Sequence, residues 1–213
     1  MFASREEAGY LLVKELVKEA LGRVVVLGIP RGGVVIAQEV ASGLRVPFSI
    51  IITKKLVAPS NPELAIGAIG NSRNSLFLNK SLVQSLGLDE RHVDAEIRLK
   101  TAEVERRKRE FLLGKELDLS GKEVVIVDDG VATGATMMAA IRQAKSDGAK
   151  KVIVATPVIS RDALRRLQKE ADQVIYLQAP KIFFSVSQFY EHFSQVTDEE
   201  VKEILRYNKI VES

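Results

Sequence analysis

The sequence predicts an α/β fold in which a five-stranded parallel sheet is flanked by helices. Short, mostly apolar runs rich in Val and Ile begin at five places, near residues 24, 48, 124, 151 and 173. Runs of this kind are typical of parallel strands that are buried on both faces. Most of them are separated by segments whose apolar residues have helical spacing, and this alternation favours parallel pairing through right-handed crossovers.

Length and composition predict one globular unit. The chain has 213 residues, of which 46% are hydrophobic, so it can bury one substantial core. We therefore expect a single domain over residues 1–213. The chain has no cysteine, which argues against disulfides and thiolate metal sites, and two separated histidines, His92 and His192, form no ligand cluster.

The charge of the chain is mildly basic. A net charge of +3 and a pI near 9.0 are compatible with a polyphosphate substrate but give too small an excess to argue for nucleic acid. The sequence is charged from residue 5 onward, and no apolar run approaches the roughly 20 residues of a membrane helix. We expect a cytoplasmic protein without a membrane or nucleic-acid partner.

The stretch from residue 124 to residue 136 is the most informative part of the chain. Its first four residues are Val-Val-Ile-Val, which predicts a fully buried strand. The strand stops at two acids, Asp128 and Asp129, and a turn rich in Gly, Ala and Thr follows. Helical spacing begins at about Thr136, so the predicted order is strand, acidic tip, small-residue loop and helix.

This order of elements suits a phosphate group. Gly130 and Gly134 allow close approach, so successive N–H groups can point into one concavity where the helix dipole adds positive potential. The hydroxyls of Thr133 and Thr136 can donate further bonds. The two carboxylates would repel a phosphate unless they face sugar hydroxyls or a hydrated cation. The site therefore needs a phosphate on one side and a diol with Mg²⁺ on the other, which describes a ribose 5-phosphate.

A second strand-loop-helix unit lies near the start of the chain. Residues 28–33 are Gly-Ile-Pro-Arg-Gly-Gly, a spacing that fits neither the dinucleotide fingerprint nor a P-loop. Free N–H groups around Gly32 and Gly33, with the Arg31 guanidinium beside them, would suit a diphosphate. Taken alone, a tight turn with a solvated arginine is the more common explanation.

Two lysines follow the β-rich run of residues 48–53. Lys54 and Lys55 would lie at the carboxyl end of a parallel strand, which is the edge where open α/β sheets bind ligands. A solvated lysine pair is the alternative.

Residues 58–114 interrupt the strand-helix alternation. We predict a hairpin with mobile flanks over residues 58–78 and a long helix that Asp89 caps and that runs to about Leu113. Acids precede bases along this helix, which favours an exposed, salt-bridged face. The functional alternative is that Arg106, Arg107 and Arg109 project toward a diphosphate.

Capping boxes predict the first and last helices. Ser4 with Glu7 starts a helix whose apolar face ends at Gly22, and we interpret it as scaffold. Thr197 with Glu200 starts a last helix that runs to about Arg206.

The central stretch resembles the phosphoribosyl-diphosphate (PRPP) binding motif of the type I phosphoribosyltransferases, and the likeness to a bacterial subgroup of this family covers nearly the whole chain. The resemblance implies that Asp128 and Asp129 hold the ribose 2′ and 3′ hydroxyls. It also implies Mg²⁺ as a cofactor that comes with PRPP near these two acids. The residues that would wrap the 5′-phosphate are Gly130, Val131, Ala132, Thr133, Gly134, Ala135 and Thr136.

The same resemblance gives roles to the remaining segments. It places a diphosphate loop at Arg31, Gly32 and Gly33 and assigns diphosphate contacts to Lys54 and Lys55. Residues 58–114 would form a flexible loop with a helical insertion, in which we assign no role to Glu63. Residues 179–213 would form a hood with the C-terminal helix.

The hood is where the family receives the base. Aromatic residues crowd into this region, and Phe183, Phe184 and Tyr190 are our candidates for stacking on it, although a small satellite core is an equal alternative. Transferases for 6-oxopurines usually carry an Asp where this chain has Ala132, and this departure weakens a hypoxanthine or guanine assignment.

These observations predict a PRPP-dependent phosphoribosyltransferase that acts on a nucleobase-like acceptor, and the resemblance leaves a homodimer open. The first alternative is a regulatory protein that binds PRPP or a nucleotide with little catalytic activity. The second is a hydrolase or phosphatase, against which Asp128 and Asp129 lack the Asp-x-Asp spacing of aspartyl-phosphate enzymes.

Overall fold

The computed structural model describes residues 1–59 and 61–207, except for the side chains of Pro62 and Glu63. The open question about Glu63 and the end of the 179–213 segment therefore lie outside the described residues.

The centre of the fold is the predicted parallel sheet, which is confirmed. Within the described residues it has five strands, and neighbouring strands pair in parallel. The residues of β1, β6 and β7 are almost entirely buried because helices cover both faces, whereas the edge strand β8 is partly exposed. In spatial order the strands are β2 (Phe48–Ile50), β1 (Val24–Gly28), β6 (Glu123–Val127), β7 (Lys151–Val158) and β8 (Gln173–Gln178).

Helices pack on both faces of this sheet. On one face, α1 and α2 form an apolar cluster with Val26, Val125 and Ile153. On the other face, α5 and α6 pack on Val25, Ile126 and Val154. None of the helices in the described part of the chain is both long and apolar enough to cross a membrane. The helices are α1 (Arg5–Leu16), α2 (Gly32–Leu44), α3 (Lys80–Ser85), α4 (Glu90–Leu112), α5 (Ala135–Ser146), α6 (Arg161–Leu167) and α7 (Asp198–Tyr207).

The segment after β2 builds a second, antiparallel sheet. It contains β3 (Lys54–Ala58), β4 (Asn61–Ile69) and β5 (Phe77–Leu78), with β4 in the middle. The predicted hairpin of β4 and β5 is confirmed, whereas the sequence reasoning missed β3 and α3. This sheet packs on α4 through one apolar cluster and on α5 through Ala68, which contacts Ala135 and Ala139.

The position predicted for the lysine pair is wrong. β2 ends at Ile50, and Lys54 and Lys55 are the first residues of β3 in the antiparallel sheet. The run of β-prone residues is continuous in sequence, but the chain leaves the parallel sheet in its middle. The lysines therefore lie a few residues beyond the sheet edge instead of on it.

The predicted ends of the helices are partly right. The box of Thr197 and Glu200 is formed, since Thr197 Oγ1 accepts from the Glu200 N–H at 3.1 Å and Glu200 Oε2 accepts from the Thr197 N–H at 2.6 Å. The predicted end of the first helix near Gly22 is wrong, because α1 ends at Leu16 and Val17 is already 59% exposed.

Candidate functional site

The two loops predicted from sequence lie next to each other. β1 and β6 are adjacent parallel strands, with Gly28 opposite Val127 at their carboxyl ends. From β1 the chain continues to β2 on one side, and from β6 it continues to β7 on the other, so the strand order reverses between them. Ligands of open α/β sheets bind at such a switch point.

Close backbone approach joins the loop after β1 to the acid pair. A Cβ atom at Gly32 would lie 1.8 Å from Asp129 Oδ2, and one at Gly33 would lie 2.9 Å from the Cα of Asp128. Any side chain at these positions would push the loop away from the acids. The amides of Gly32 and Gly33 donate to no carbonyl of the described residues, so their N–H groups are free for a ligand.

The loop after β6 turns its carbonyls and amides in different directions. The carbonyl of Val131 accepts from the Ser160 N–H at 2.9 Å, and that of Thr133 accepts from Arg166 at 2.9 Å. The carbonyl of Ala132 accepts from the Ser160 hydroxyl. In the part of the chain that the structure describes, the N–H groups of four loop residues donate to no hydrogen-bond acceptor. These residues are Ala132, Thr133, Gly134 and Thr136. An array of unpaired N–H groups at the start of a helix is an anion-binding arrangement.

Backbone conformation explains the glycine that ends this loop. Gly134 has a φ of 76°, in the left-handed region that costs other residues free energy, and it directly precedes α5. The turn leaves Ala132 and Thr133 exposed to solvent, while Ala135 is buried under the antiparallel sheet. The phosphate-binding role predicted for residues 130–136 stays a prediction, and the loop geometry is compatible with it.

Asp128 is partly buried at the carboxyl end of β6. Its Oδ1 accepts a hydrogen bond of 2.9 Å from the Asp129 N–H. Burial raises the pKa of Asp128 well above the usual range, and the neighbouring charge of Asp129 raises it further. The positive charge of Lys55 opposes this pKa shift, so Lys55 lies within electrostatic reach of Asp128. Lys54 instead pairs with Glu103, at 3.4 Å.

Asp129 is hydrogen-bonded by one residue of α1 and by one residue of the segment before α7. Its Oδ2 accepts a hydrogen bond of 2.9 Å from Arg5 Nε, and its main-chain carbonyl accepts one of 2.6 Å from the Tyr190 hydroxyl. Arg5 also donates to the carbonyl of Ser194 at 2.8 Å and lies 3.8 Å from the ring centre of Phe193. Burial raises the pKa of Asp129, and the Arg5 charge opposes that rise. One carboxylate oxygen of Asp129 is therefore committed to a protein partner.

The three predicted base-stacking residues have different surroundings. Tyr190 is only 5% exposed, and its ring packs against Phe2 and Phe193, so it belongs to the core and offers no face to a base. Phe183 is partly buried and packs against Phe189. Phe184 is 87% exposed, and of the three it has the ring most open to a ligand.

The arginines of α4 also differ in their surroundings. Arg106 pairs with Glu110 at 3.6 Å, as expected for a salt-bridged helix face, and Arg109 is exposed. Arg107 instead reaches across to α7, where it donates to Asp198 at 3.1 Å. Asp198 is also the carboxylate nearest to Arg31, at 3.8 Å.

The donor set at the acid pair suits a metal ion that arrives with a substrate. Among the described residues, no group of three His, Cys, Asp or Glu side chains could hold a metal ion. Asp128 and Asp129 alone cannot complete an octahedral site, and Arg5 already occupies one oxygen of Asp129. Mg²⁺ usually binds through one or two carboxylates, waters and substrate phosphates, and these residues fit that mode.

Sequence reasoning missed two contributors to this site. Arg5 belongs to a helix that the sequence marks only as scaffold, although it contacts an acid 124 positions away in sequence. Asp198 directly follows a predicted capping residue, and the sequence assigns it no role beyond the helix start. A charged residue at the first position of a helix is ordinary, so no local signal distinguishes either side chain.

Known proteins share both the sequence pattern and the fold. A family model described as a phosphoribosyl transferase domain matches residues 5–193. A Mycobacterium tuberculosis protein, provisionally named a phosphoribosyl transferase, is 42% identical over 202 residues, which make up 94% of this chain and 45% of that protein. The chain thus spans about half the length of this relative. A ribose-phosphate pyrophosphokinase of Pyrococcus furiosus is 30% identical over 129 residues, 59% of this chain and 44% of that enzyme.

Solved structures agree with this family. A crystal structure of a Thermus thermophilus protein is 38% identical with a TM-score of 0.81, and the match covers 96% of this chain and 97% of that one. The purine phosphoribosyltransferase of Pyrococcus horikoshii shares the fold alone, at 17% identity and a TM-score of 0.50 over 93% of this chain and 98% of its own. The chain therefore belongs to the phosphoribosyl transferase domain family and has the α/β fold of the type I phosphoribosyltransferases.

Proposed function

We propose that this chain binds PRPP and transfers its ribose 5-phosphate to a nitrogenous base, with release of diphosphate. The observation that carries the proposal is the pair of loops after β1 and β6, whose free N–H groups adjoin Asp128 at the switch point of the sheet. The aligned pyrophosphokinase acts, by its name, on ribose phosphate and diphosphate groups, which supports the same ligand chemistry.

Each part of PRPP has a proposed partner. The 5′-phosphate binds in the loop of residues 130–136 through the N–H groups that have no protein partner, where the start of α5 adds positive potential. Asp128 and the carboxylate oxygen of Asp129 that does not contact Arg5 accept hydrogen bonds from the ribose hydroxyls. The diphosphate binds the amides of Gly32 and Gly33, and Arg31 and Lys55 neutralise its charge. Lys54 has a weaker claim, because Glu103 already pairs with it.

The proposed reaction is a displacement at C1 of the ribose. A ring nitrogen of the base forms a bond to C1 and releases its proton to water, while the bond from C1 to the diphosphate oxygen breaks and diphosphate leaves with the electron pair. Cations and amides preorganised around the leaving group stabilise the negative charge that develops on it. Mg²⁺ bound with the substrate would supply further neutralisation of the diphosphate.

The acceptor is a planar heterocycle that contacts the hood. Phe184 is the residue that we propose to stack on it, with Phe183 beside it. Ala132 stands where an acid would serve a 6-oxopurine, so we propose an acceptor of another type.

A regulatory role is the second candidate. The burial of Tyr190 in the core and the exposure of Phe184 leave the base side of the site less developed than the phosphate side. A protein that binds PRPP or a nucleotide without transferring it would need only the phosphate side.

One experiment separates these candidates. A panel of nucleobases is incubated with the full chain, PRPP and Mg²⁺, and diphosphate release is measured alongside PRPP binding by calorimetry. Release that depends on one base supports the transferase. PRPP binding without release for any base favours the regulator, and absence of PRPP binding rejects both.

A further inference from the structure

The arginine of the diphosphate loop shares a partner with an arginine from α4. Nη1 of Arg31 lies 3.8 Å from Oδ1 of Asp198, the first residue of α7. The same oxygen accepts a hydrogen bond of 3.1 Å from Nη1 of Arg107. Two guanidinium groups from separate elements therefore converge on one carboxylate oxygen at the edge of the proposed site.

Arg107 makes few hydrogen bonds for a side chain that is mostly buried. Its side chain is 22% exposed, and its Nε is buried without a hydrogen-bond partner among the described residues. The face of Phe111 provides a further contact, with the ring centre 5.5 Å from the guanidinium carbon. Buried arginines usually use their planar fork of donors on matched acceptors. Arg107 makes a single bond of this kind and so retains donors for a ligand that offers more oxygens.

The charges at this junction do not balance. Arg31 and Arg107 carry two positive charges, and Asp198 is the carboxylate that both share. Glu110 also lies within electrostatic reach of Arg107, but its own ion pairs are with Lys202 and Arg106. A diphosphate carries more negative charge and several oxygens, and guanidinium groups pair with phosphate in a bidentate manner. A diphosphate would therefore satisfy both arginines better than one shared carboxylate does.

We propose that Arg107 binds the diphosphate together with Arg31, and that Asp198 is an internal anion that occupies both arginines until the diphosphate arrives. The inference rests on the proposed function and adds to it one binding residue and one competing group. Binding then requires Asp198 to release both guanidinium groups. Asp198 therefore lowers the resting affinity of the site for diphosphate.

The neighbouring arginines of α4 provide matched controls. Arg106 is 63% exposed and pairs with Glu110 along its own helix, so it does not reach the diphosphate loop. Glu199 follows Asp198 on α7, is 79% exposed and lies at the limit of ion pairing with Lys202, at 4.0 Å. Lys202 itself bridges α7 to α4 through Glu110 at 3.0 Å without touching Arg31 or Arg107.

Calorimetric titration of the full chain with inorganic diphosphate, at low ionic strength and with Mg²⁺, tests the proposal. We expect Asp198→Asn to bind diphosphate about threefold to tenfold more tightly than the wild type, in keeping with two partly exposed ion pairs. Glu199→Gln should leave the affinity unchanged. Arg107→Met should weaken binding by about tenfold or more, whereas Arg106→Met should not.

Lys202→Met separates diphosphate binding from the docking of α7 on α4. It removes an ion pair between these helices, so we expect unchanged diphosphate affinity. A loss equal to that of Arg107→Met would assign the Arg107 effect to docking and overturn the inference. If the wild type binds diphosphate and Asp198→Asn binds it no more tightly, the inference is overturned, while the proposed function stands. If neither protein binds diphosphate while the wild type binds PRPP, the inference fails and the proposed function stands. If the wild type binds neither diphosphate nor PRPP, the proposed function fails as well.

Discussion

Arg5 Nε donates a hydrogen bond of 2.9 Å to Asp129 Oδ2, and the two side chains are only 8% and 14% exposed. This pair joins the first turn of α1 to the acidic end of β6. Residues 189–192 run beside the N-terminal segment, with hydrogen bonds between Phe2 and Phe189 and between Glu191 and Phe2. The N-terminal segment and residues 189–192 thus pair with each other, and each contributes one hydrogen bond to Asp129.

Replacing Arg5 should destabilise the fold as well as the site. Arg5→Met leaves Asp129 without its charged partner, and breaking a buried ion pair in this way costs about 3–5 kcal/mol. We expect a loss near the lower end, because both side chains keep a little exposure to water. Arg5→Lys restores a cation but not the planar contact with Phe193, so it should recover part of the loss. Chemical denaturation of the three proteins measures the difference, and equal stability of Arg5→Met and wild type would contradict the pairing.

The two acids should respond to amide substitution with opposite changes in stability. Asp128→Asn removes a charge that is disfavoured by burial and by Asp129, so we expect the free energy of unfolding at pH 7 to rise by about 1 kcal/mol. Asp129→Asn leaves the buried Arg5 without its counter-charge, so the free energy of unfolding should fall by about 1–3 kcal/mol. Both variants should lose PRPP affinity by calorimetry. An Asp128→Asn protein that is more stable than the wild type but no longer binds PRPP would show that Asp128 serves ligand binding and not the stability of the fold.

The stability gained in Asp128→Asn should depend on pH. The pKa of Asp128 is raised in the folded state above its ordinary value of 3.8, so the folded protein binds the proton more tightly than the unfolded chain does. As the pH falls below the folded-state pKa, Asp128 becomes protonated in the folded protein and its destabilising effect shrinks, until the effect is lost below the ordinary value of 3.8. The difference in unfolding free energy between Asp128→Asn and wild type should therefore shrink as the pH is lowered from 7 toward 4. Denaturation curves in metal-free buffer measure it, and a difference that grows on acidification would contradict the raised pKa.

Much of the fold and the two loops could be predicted from local sequence patterns, for physical reasons that particular residues illustrate. Buried parallel strands such as residues 124–127 leave a strong apolar signal, and Gly134 marks a turn that needs a left-handed backbone. The strand β3 was missed because residues 48–53 form one β-prone run although β2 ends at Ile50, and nothing local marks the point where the chain changes sheets. Contacts such as that of Arg5 with Asp129 depend on tertiary packing, which leaves no spacing pattern in the sequence.

The aromatic hood shows the same limit. Tyr190 and Phe184 belong to one aromatic cluster in sequence, yet Tyr190 is 5% exposed and Phe184 is 87% exposed. The difference arises because the N-terminal segment, through Phe2, covers Tyr190 and leaves Phe184 uncovered. Composition could place aromatic residues near the base side of the site but could not tell which of them pack inward.

The glycine of the diphosphate loop gives a prediction that depends on space alone. In Gly33→Ala, the new Cβ would lie 2.7 Å from the carbonyl oxygen of Val127 and 2.9 Å from the Cα of Asp128, and both are backbone atoms that cannot rotate away. The loop must therefore lift from the acids, at a cost of about 1–3 kcal/mol, which predicts a loss of PRPP affinity of about tenfold or more. Gly22→Ala is the control, since its Cβ would meet only the movable end of the Glu123 side chain, at 3.2 Å. Calorimetry with PRPP compares the two variants, and a Gly33→Ala protein that binds like Gly22→Ala would show that contact between this loop and Asp128 is not needed for the ligand.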